Sequence, residues 1–374
     1  MKKILLFTYG DATQASTWSN VPFLMTKALE EKGIEVVHMD IMPNPKWNVW
    51  WLKYIFWNLN RFYPNHQFSF IRTWINKYQT EKKIKKFILQ NDTADYCFFL
   101  NFEYYNKYSQ IPSLLLNDWT YDIVILDRLQ RKPYFFEKWF VKYQQQALRN
   151  AEVVVSLFED CANTIKSRNP SANVHHLGMN VVNDLAQVQY TRETLLELKS
   201  KSKSFLFIGG SKYKEAAQLL IDAFCLMPNM SQCQLNIVGM SKEELEGVNS
   251  YINCYGYLNK SDYEDNIIYY RLLSEAKAVI NPAKIWAGYS SSVEAMYYYT
   301  PVIVSRYQSF ELEFGEDIDF GFYLNEFDSN HLADLMIKLM QHSDYEGFCI
   351  NAHDKVKTYT WDMYIDKLLK LINE

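Results

Sequence analysis

The sequence predicts an α/β protein made of two doubly wound, Rossmann-like domains. In both halves, apolar stretches of strand length alternate with amphipathic stretches of helical length, which is typical of parallel sheets covered by helices. A polar stretch at residues 181–203 lies between the two halves and lacks apolar periodicity at its end. The length of 374 residues suits two domains of ordinary size, each able to bury its own core.

Composition limits the class of protein. Hydrophobic residues make up 48% of the chain and charged residues 22%, as in folded globular proteins. The formal net charge of −4 argues against a general nucleic-acid partner. No apolar stretch is long enough to span a bilayer and no signal peptide precedes the first strand at Lys3, so we expect a cytoplasmic protein. The six cysteines form no CxxC pair and no histidine cluster has ligand spacing, so we expect no metal site.

The first half begins as strand, loop, helix and strand, the opening of a parallel α/β domain. Further strands and one long helix follow before the polar stretch. The predicted strands are 3–9, 34–40, 94–101, 111–116 and 151–158, and the predicted helices are 22–32 and 135–150.

Three residues of the first half follow the carboxyl ends of predicted strands. Gly10 and Asp11 follow the first strand, and Asp118 follows the strand at 111–116. Parallel strands end at one edge, where ligands bind, so these residues are candidates for a cleft. Asp118 is also a candidate for binding an acceptor hydroxyl or taking its proton. The alternatives are that Gly10 and Asp11 only make a turn and that Asp118 forms an Asx turn.

Residues 46–90 are basic and rich in tryptophan. A single acid, Glu81, stands among nine cationic side chains, and five of the ten tryptophans occur here. A basic helix with Trp and Tyr on its other face is typical of a helix that lies in a membrane interface, which would place the protein at the inner face of an anionic membrane. The alternative is a helix pair whose aromatic side packs on its own sheet. The cationic residues are Lys46, Lys53, Arg61, Arg72, Lys77, Lys82, Lys83, Lys85 and Lys86.

The second half again alternates strands and helices, from FLFIGG at 205–210 to a last amphipathic helix at 361–372. Gly209 and Gly210 end its first strand, and Lys212 and Lys214 follow closely. Glycine lets a ligand approach the backbone and lysine supplies a point charge, so this loop is a candidate anion site.

A second candidate anion site lies in the stretch 275–305. It contains a buried strand (278–280), a loop (281–289), a helix that opens at three serines, and a strand (302–304). The unpaired N–H groups of a helix N-terminus can hold a phosphate, and Glu294, expected in the first turn, suits ribose hydroxyls. The alternative is an ordinary serine N-cap followed by ordinary helix electrostatics. The serines are Ser290, Ser291 and Ser292.

This order of features resembles the donor domain of GT-B glycosyltransferases, in particular the group-one family of retaining enzymes with a Glu-x7-Glu motif. The resemblance covers residues 204–325 well and the first half in layout only. It implies two domains facing each other across a cleft. An acceptor domain (1–180) and a linker (181–203) would precede a donor domain (204–355), and a C-terminal helix (356–374) would cross back to the first domain.

The resemblance also implies roles for single residues. Glu294 matches the glutamate that binds the ribose of the donor, and Lys214 lies within one position of the lysine that neutralises the leaving diphosphate. Asp118 stands where many relatives carry a histidine, so Asp118, Lys214 and Glu294 are the implied catalytic residues. Further implied donor-binding residues are Gly209, Gly210, Lys212, Cys254, Tyr255, Trp286, Gly288, Tyr289, Ser290, Ser291 and Ser292.

The implied activity is sugar transfer from a nucleotide diphosphate sugar to a hydroxyl of a surface-glycan or lipid-linked acceptor, with retention and without a metal or other cofactor. Two positions depart from the family pattern: Trp286 replaces the first glutamate, and Gly210 replaces an arginine. These departures leave open a catalytically inactive GT-B-shaped binding or partner subunit. A sugar-nucleotide epimerase of the same fold is a third interpretation.

Overall fold

A computed structural model describes residues 1–284 and 289–373; Trp286 and Gly288 lie outside the described residues. The chain divides into two compact units. Met1–Met179, with the residues from Tyr364 onward, form the first domain, and Asn180–Met363 form the second. Each domain contains a six-stranded parallel sheet flanked by helices. The prediction of two doubly wound α/β domains is therefore confirmed.

The first sheet has the strand order β2-β1-β3-β4-β5-β6, and all its strand pairs are parallel. The strand order reverses between β1 and β3, the position where open α/β sheets bind ligands. The strands are β1 (Lys3–Thr8), β2 (Glu35–Asp40), β3 (Tyr96–Phe99), β4 (Ser113–Asn117), β5 (Val153–Ser156) and β6 (Val174–His175). The helices are α1 (Val21–Glu31), α2 (Pro45–Trp51), α3 (Trp57–Phe62), α4 (Trp74–Gln90), α5 (Tyr121–Ile123), α6 (Lys138–Asn150) and α7 (Glu159–Arg168), with π-helical turns at Leu52–Phe56 and Val124–Arg128.

The central strands are continuous apolar runs because helices cover both faces of the sheet. The side chains of Ile4, Leu5, Leu6 and Phe7 in β1 are completely buried. In contrast, none of the residues from Pro45 to Phe62 is buried. This part of the basic, aromatic segment therefore does not contribute to the core of the domain.

The second sheet has the order β12-β11-β10-β7-β8-β9 and is also fully parallel. Its order reverses between β7 and β10, which are hydrogen-bonded neighbours. The strands are β7 (Ser204–Ile208), β8 (Gln234–Val238), β9 (Ile252–Cys254), β10 (Ala278–Asn281), β11 (Val302–Ser305) and β12 (Gly321–Leu324). The helices are α8 (Arg192–Lys201), α9 (Lys214–Leu226), α10 (Tyr263–Glu275), α11 (Ser290–Tyr297), α12 (Gln308–Phe314), α13 (Ser329–Met340), α14 (Tyr345–Val356) and α15 (Trp361–Asn373).

The segment 181–203, assigned to a linker for its polarity, contains helix α8 and is part of the second domain. Its Leu195 is buried, and the completely buried Lys199 donates to backbone carbonyl groups at the end of α10. At the other end of the chain, α15 joins the first domain from Tyr364 onward. There Asp366 forms a 2.6 Å ion pair with Lys32 of the same domain.

Candidate active site

Helix α11 presents its first amide groups at the carboxyl edge of the second sheet. Its first backbone bonds run from the amides of Ser292 and Val293 to the carbonyl of Tyr289, at 2.9 and 3.0 Å. The amides of Ser290 and Ser291 precede these bonds and therefore have no partner within the helix. Ser290 is exposed and Ser291 is half-buried. These two residues can offer N–H groups to an anion, as the sequence predicts.

The two neighbouring predicted residues face the interior instead. Tyr289 is completely buried, and its hydroxyl donates to Glu313 Oε2 at 2.7 Å. The Ser292 hydroxyl is also buried and has no partner among the described residues. Their side chains lie in the core below α11, so of this turn only Ser290 and Ser291 are placed to meet a ligand directly.

Glu294 is the fifth residue of α11, so it lies in the second turn and not in the first, where we expected it. The residue is 3% exposed. Its Oε1 accepts from Lys260 Nζ at 2.5 Å and from the Tyr270 hydroxyl at 3.1 Å, and its Oε2 accepts from the Tyr269 hydroxyl at 2.7 Å. Burial raises the pKa of both tyrosines, so their hydroxyls remain donors. The carboxylate is thus enclosed by one cation and two phenols.

The glycine loop lies beside this helix, because β7 and β10 are neighbours and their carboxyl ends share one edge. Gly209 packs against Gly239, where φ is +104° and a Cβ atom would come 2.5 Å from the Gly209 carbonyl oxygen. The glycine at 239 therefore allows the loops after β7 and β8 to touch. Gly210 has much more room, since the nearest atom to a Cβ there would be 3.9 Å away.

The lysines near the glycine loop are exposed. Lys212 and Lys214 are both exposed, at the start of α9. Lys284, which the sequence analysis did not single out, reaches from the loop after β10 to Glu215 at 3.3 Å. Both members of that pair are more than half exposed, so the pair is weak and its lysine is available to a stronger anion.

Cys254, the last residue of β9, and Tyr255, which follows it, are predicted to lie beside a nucleotide base. The Tyr255 hydroxyl donates to Asn236 Oδ1 at 3.3 Å, and the tyrosine lines a cavity of about 290 Å³. Ser204 and Gln234, the first residues of β7 and β8, also line that cavity, so it extends toward the amino edge of the sheet. Cys254 is half-buried, and burial raises the pKa of its thiol.

A cavity of about 320 Å³ lies in the first domain where the strand order reverses. Residues that end or follow β1, β3 and β4 line it, together with two residues from the start of α1 and the loop before it. The lining residues are Thr8, Tyr9, Trp18, Pro22, Leu100 and Asn117. The sequence predicts a site at this edge but does not indicate that these six residues line it.

The predicted residues of this edge lie next to that lining. Gly10 has φ +101° and donates its amide to Asp40 Oδ1 at 2.9 Å. Asp11 is exposed and accepts from the amide and the hydroxyl of Thr13, which lowers the pKa of its carboxyl. Asp118 directly follows Asn117, and its Oδ1 accepts from the Trp119 amide at 2.8 Å. Gly10 and Asp11 thus form the turn that follows β1.

Glu103 is a further acid at this edge, four residues after the end of β3 at Phe99. Its Oε1 accepts from Gln144 at 3.3 Å, and its Oε2 is buried with no partner among the described residues. Burial raises the pKa of Glu103 to about 7, although the nearby Arg72 opposes the shift. Only the fold reveals this acid, because the sequence around it resembles an ordinary loop. Within residues 1–284 and 289–373, no three His, Cys, Asp or Glu side chains are grouped to hold a metal ion.

Comparison with known proteins finds a family match for most of the second domain. Residues 202–342 match the family described as Glycosyl transferases group 1. No curated protein sequence matches the chain.

Solved structures match over the whole chain at low identity. Sucrose-phosphate synthase from Thermosynechococcus elongatus has a TM-score of 0.70 and 14% identity, covering 100% of this chain and 99% of its own. WaaG, a glycosyltransferase involved in lipopolysaccharide biosynthesis, has a TM-score of 0.65 and 12% identity, covering 99% and 98%. Anabaena HepE, in complex with UDP and glucose, has a TM-score of 0.63 and 12% identity, covering 99% and 100%. Residues 202–342 therefore match the group 1 glycosyltransferase family, and the chain has the two-domain fold of GT-B glycosyltransferases.

Proposed function

We propose that this protein is a glycosyltransferase, which moves a sugar from a nucleotide diphosphate sugar to a hydroxyl of a surface-glycan or lipid-linked acceptor, with retention. The observation that carries the proposal is the position of Glu294 and the first amides of α11. They lie at the same sheet edge as the loop of Gly209 and Gly210, where the strand order reverses. An anion-binding helix start beside a buried acid suits a diphosphate joined to a ribose.

The chemistry requires stabilisation of the charge that develops on the leaving diphosphate. The amides of Ser290 and Ser291 are fixed dipoles aimed at one place, and Lys214 and Lys284 add mobile positive charge nearby. Retention is inferred from the resemblance to the group-one family. In that mechanism the leaving phosphate itself takes the proton of the acceptor hydroxyl, so no side chain has to act as a nucleophile.

The acceptor is assigned to the cavity of the first domain. Its volume of about 320 Å³ suits a small ligand or one unit of a larger one. Tyr9 and Trp18 supply aromatic surface, and Thr8 and Asn117 supply polar groups, a combination that fits the mixed polar and apolar faces of a sugar. Asp118, next to Asn117, is the candidate for contact with the reacting hydroxyl.

We further propose that the segment 46–90 lies on an anionic membrane that carries the acceptor. Trp47, Trp50, Tyr54 and Trp57 recur at spacings of three and four residues, and each is at least 45% exposed. Exposed aromatic surface on this scale in a water-facing helix is costly and indicates a partner. The neighbouring lysines, which include Lys53 lying 5.1 Å from the Tyr54 ring centre, complement anionic headgroups.

Part of this segment does pack internally. Trp51 donates its indole N–H to the carbonyl of Phe68 at 3.1 Å, and its ring contacts Phe68 and Phe70. Internal packing therefore involves Trp51, and the proposed membrane contact concerns the aromatic side chains that remain exposed. No helix among the described residues is both long enough and apolar enough to cross a bilayer.

The donor assignment is tested by thermal shift with a panel of nucleotide sugars, beginning with UDP-glucose because the HepE structure contains UDP and glucose. A donor that binds only the folded protein raises the melting temperature. The expected result is one preferred nucleotide sugar, slow release of its nucleoside diphosphate, and a product whose anomeric configuration by NMR equals that of the donor. Absence of any shift across the panel contradicts the proposal.

The second candidate is a catalytically inactive binding or partner subunit. The observation that favours it is that Glu294 already has three protein donors, alongside the replacement of the family arginine by Gly210. The two candidates differ in turnover. A nucleotide sugar that raises the melting temperature but is neither hydrolysed nor transferred identifies the inactive subunit.

A further inference from the structure

The ion pair between Lys260 and Glu294 occupies the carboxylate that the proposed function assigns to ribose. Lys260 lies in the loop between β9 and α10, at the same edge of the sheet as the α11 helix start. Its side chain is 16% exposed and that of Glu294 is 5% exposed. The Lys260 ammonium also lies 4.3 Å from the ring centre of Tyr269. A desolvated ion pair of this kind is costly to break unless each partner finds a replacement.

Ribose offers such a replacement to Glu294. An ionised carboxylate has about four acceptor positions, and three are taken by Lys260, Tyr269 and Tyr270. The two hydroxyls of a ribose need two positions, so at least one present donor has to leave. The tyrosines are the fixed donors, because their side chains are almost completely buried in α10 and pack edge to face, with ring centres 5.1 Å apart.

Lys260 is the donor that can leave. Its backbone is held, since its carbonyl accepts from Asn266 at 2.8 Å, but the ammonium is carried by a flexible four-carbon stem. Ser290 is four residues before Glu294, about 6 Å along the helix axis, and glutamate side chains lean toward the helix start. The lysine stem is therefore long enough to carry its charge from Glu294 to an anion at the amides of Ser290 and Ser291.

We propose that Lys260 is a donor-binding residue that exchanges partners, leaving Glu294 when ribose binds and contacting the diphosphate instead. This inference rests on the proposed function. Gly210 stands where relatives carry an arginine, so the second domain lacks one cation for the diphosphate, and Lys260 supplies it from another loop. Each charge keeps a partner throughout: the hydroxyls of ribose compensate Glu294 and the phosphates compensate Lys260.

The exchange predicts that Lys260 affects the binding of a nucleoside and of a nucleoside diphosphate in opposite directions. Binding experiments with both ligands can test this. The probes are the nucleosides of uracil, guanine, adenine, cytosine and thymine and their diphosphates, measured by calorimetry or ligand-observed NMR against the full chain. A nucleoside competes with Lys260 for Glu294 and offers the lysine no new partner. A nucleoside diphosphate also competes with Lys260 for Glu294, but its phosphates then bind the lysine.

In the Lys260→Met variant, the nucleoside of the preferred base should bind as well as in the wild type or better, whereas its diphosphate should bind at least tenfold more weakly. Lys260→Arg keeps the charge and should retain most of the diphosphate affinity. Lys201→Met is the matched control, because Lys201 is an exposed lysine of the same domain whose partner is Glu197. The melting temperature of each variant shows whether the second domain remains folded.

An equal loss of affinity for nucleoside and diphosphate would make Lys260 a structural partner of Glu294 and overturn the inference. Unchanged affinity for both would overturn it as well. Failure of the proposed function looks different, since then no nucleoside diphosphate of the panel binds even to the wild type. If Lys260→Met does not fold, Lys260→Gln replaces it and is compared with Lys260→Arg. The diphosphate should then bind more weakly to Lys260→Gln than to Lys260→Arg, whereas the nucleoside should bind to both.

Discussion

The Nζ atom of Lys199 lies 2.9 Å from the carbonyl oxygen of Ser274 and 3.1 Å from that of Leu273. A lysine of α8 thereby satisfies the last carbonyl groups of α10, which a helix end leaves unpaired. Lys199 is completely buried, so these contacts replace all of its hydration. The pairing explains why a polar segment, taken from sequence as a linker, is part of the second domain.

We expect Lys199→Met to lower the free energy of unfolding of the second domain by about 1–3 kcal/mol, because buried carbonyl groups lose their donor. Urea denaturation followed by hydrogen exchange of the α10 amides measures this, since the two domains need not unfold together. Lys201→Met, at an exposed position of the same helix, should change stability by less than about 0.5 kcal/mol. Equal effects of the two substitutions would contradict the assignment.

Gly239→Ala should destabilise the second domain by about 2–4 kcal/mol, because the new methyl group would meet the Gly209 carbonyl at 2.5 Å on a backbone with φ +104°. Gly33→Ala is the control for backbone conformation alone. It has φ +76° and nothing within 4 Å of its Cβ position, so it should cost only about 1–2 kcal/mol. Melting temperatures compare the two variants, and similar losses would show that contact with Gly209 is unimportant.

The contribution of Glu103 to the stability of the first domain should fall as the pH rises from about 4.5 to about 7. In the unfolded chain Glu103 loses its proton near its ordinary pKa of 4.5, whereas burial holds the pKa in the folded domain at about 7. The folded state therefore binds more protons in this window, and its advantage is fully present below pH 4.5 and lost above pH 7.

Glu103→Gln should remove this pH dependence and stabilise the first domain at pH 8 by about 3 kcal/mol, the equivalent of the pKa shift. Urea denaturation of both proteins at pH 5 and pH 8 provides the comparison. If the difference in stability between the two proteins is the same at both pH values, Glu103 ionises freely in the folded state.

Glu294→Gln should weaken binding of the preferred nucleotide sugar at least tenfold, since a neutral amide offers ribose a poorer acceptor and leaves Lys260 without its counter-ion. The fold is also affected, because the cluster is buried, and we expect a loss of about 1–3 kcal/mol in stability. Tyr269→Phe, which removes one donor and no charge, is the matched control. Calorimetry measures the donor affinity of both variants. An unchanged donor affinity in Glu294→Gln would show that Glu294 does not belong to the site.

Trp57→Ser combined with Phe62→Ser should lower the fraction of protein bound to anionic vesicles several-fold. The two side chains are 66% and 76% exposed, so their removal takes apolar surface from the interface and little from the core. Vesicle flotation with and without anionic lipid measures the binding. Tyr257→Ser, at a 76% exposed aromatic residue of the second domain, should have no effect. Binding that is indifferent to lipid charge and to the double substitution would end the membrane hypothesis.

Hydrophobic periodicity predicted most of the fold because apolar positions mark the residues that become buried, and their spacing differs between helices and strands. The first strand, expected at 3–9, is Lys3–Thr8, and the helix expected at 22–32 is Val21–Glu31. In the stretch that ends in β11, the two strands and the helix between them occur in the predicted order. Several helices were not predicted, among them α7 and α8; the buried polar residue Lys199 of α8 has no signature in a hydropathy pattern.

The sequence predicts candidate residues for the site but not their contacts. Gly209 and Asp118 were predicted because they follow strand ends, and Glu294 because it follows the serine-led start of a helix. The partners of Glu294 could not be found in this way, because Lys260 and the tyrosines belong to another loop and helix, 24 to 34 residues away along the chain. Such contacts depend on how loops meet at the sheet edge, and a single sequence carries no pattern for that.

The concentration of indole rings in the segment 46–90 gives the protein a built-in optical reporter. Five of its ten tryptophans occur there, and Trp47, Trp50, Trp57 and Trp74 are largely exposed to water. Intrinsic fluorescence should consequently be dominated by one region of one domain, and its emission should shift to the blue when lipid replaces water around these rings. Occupancy of the proposed nucleotide site, in the second domain, should leave that spectrum almost unchanged.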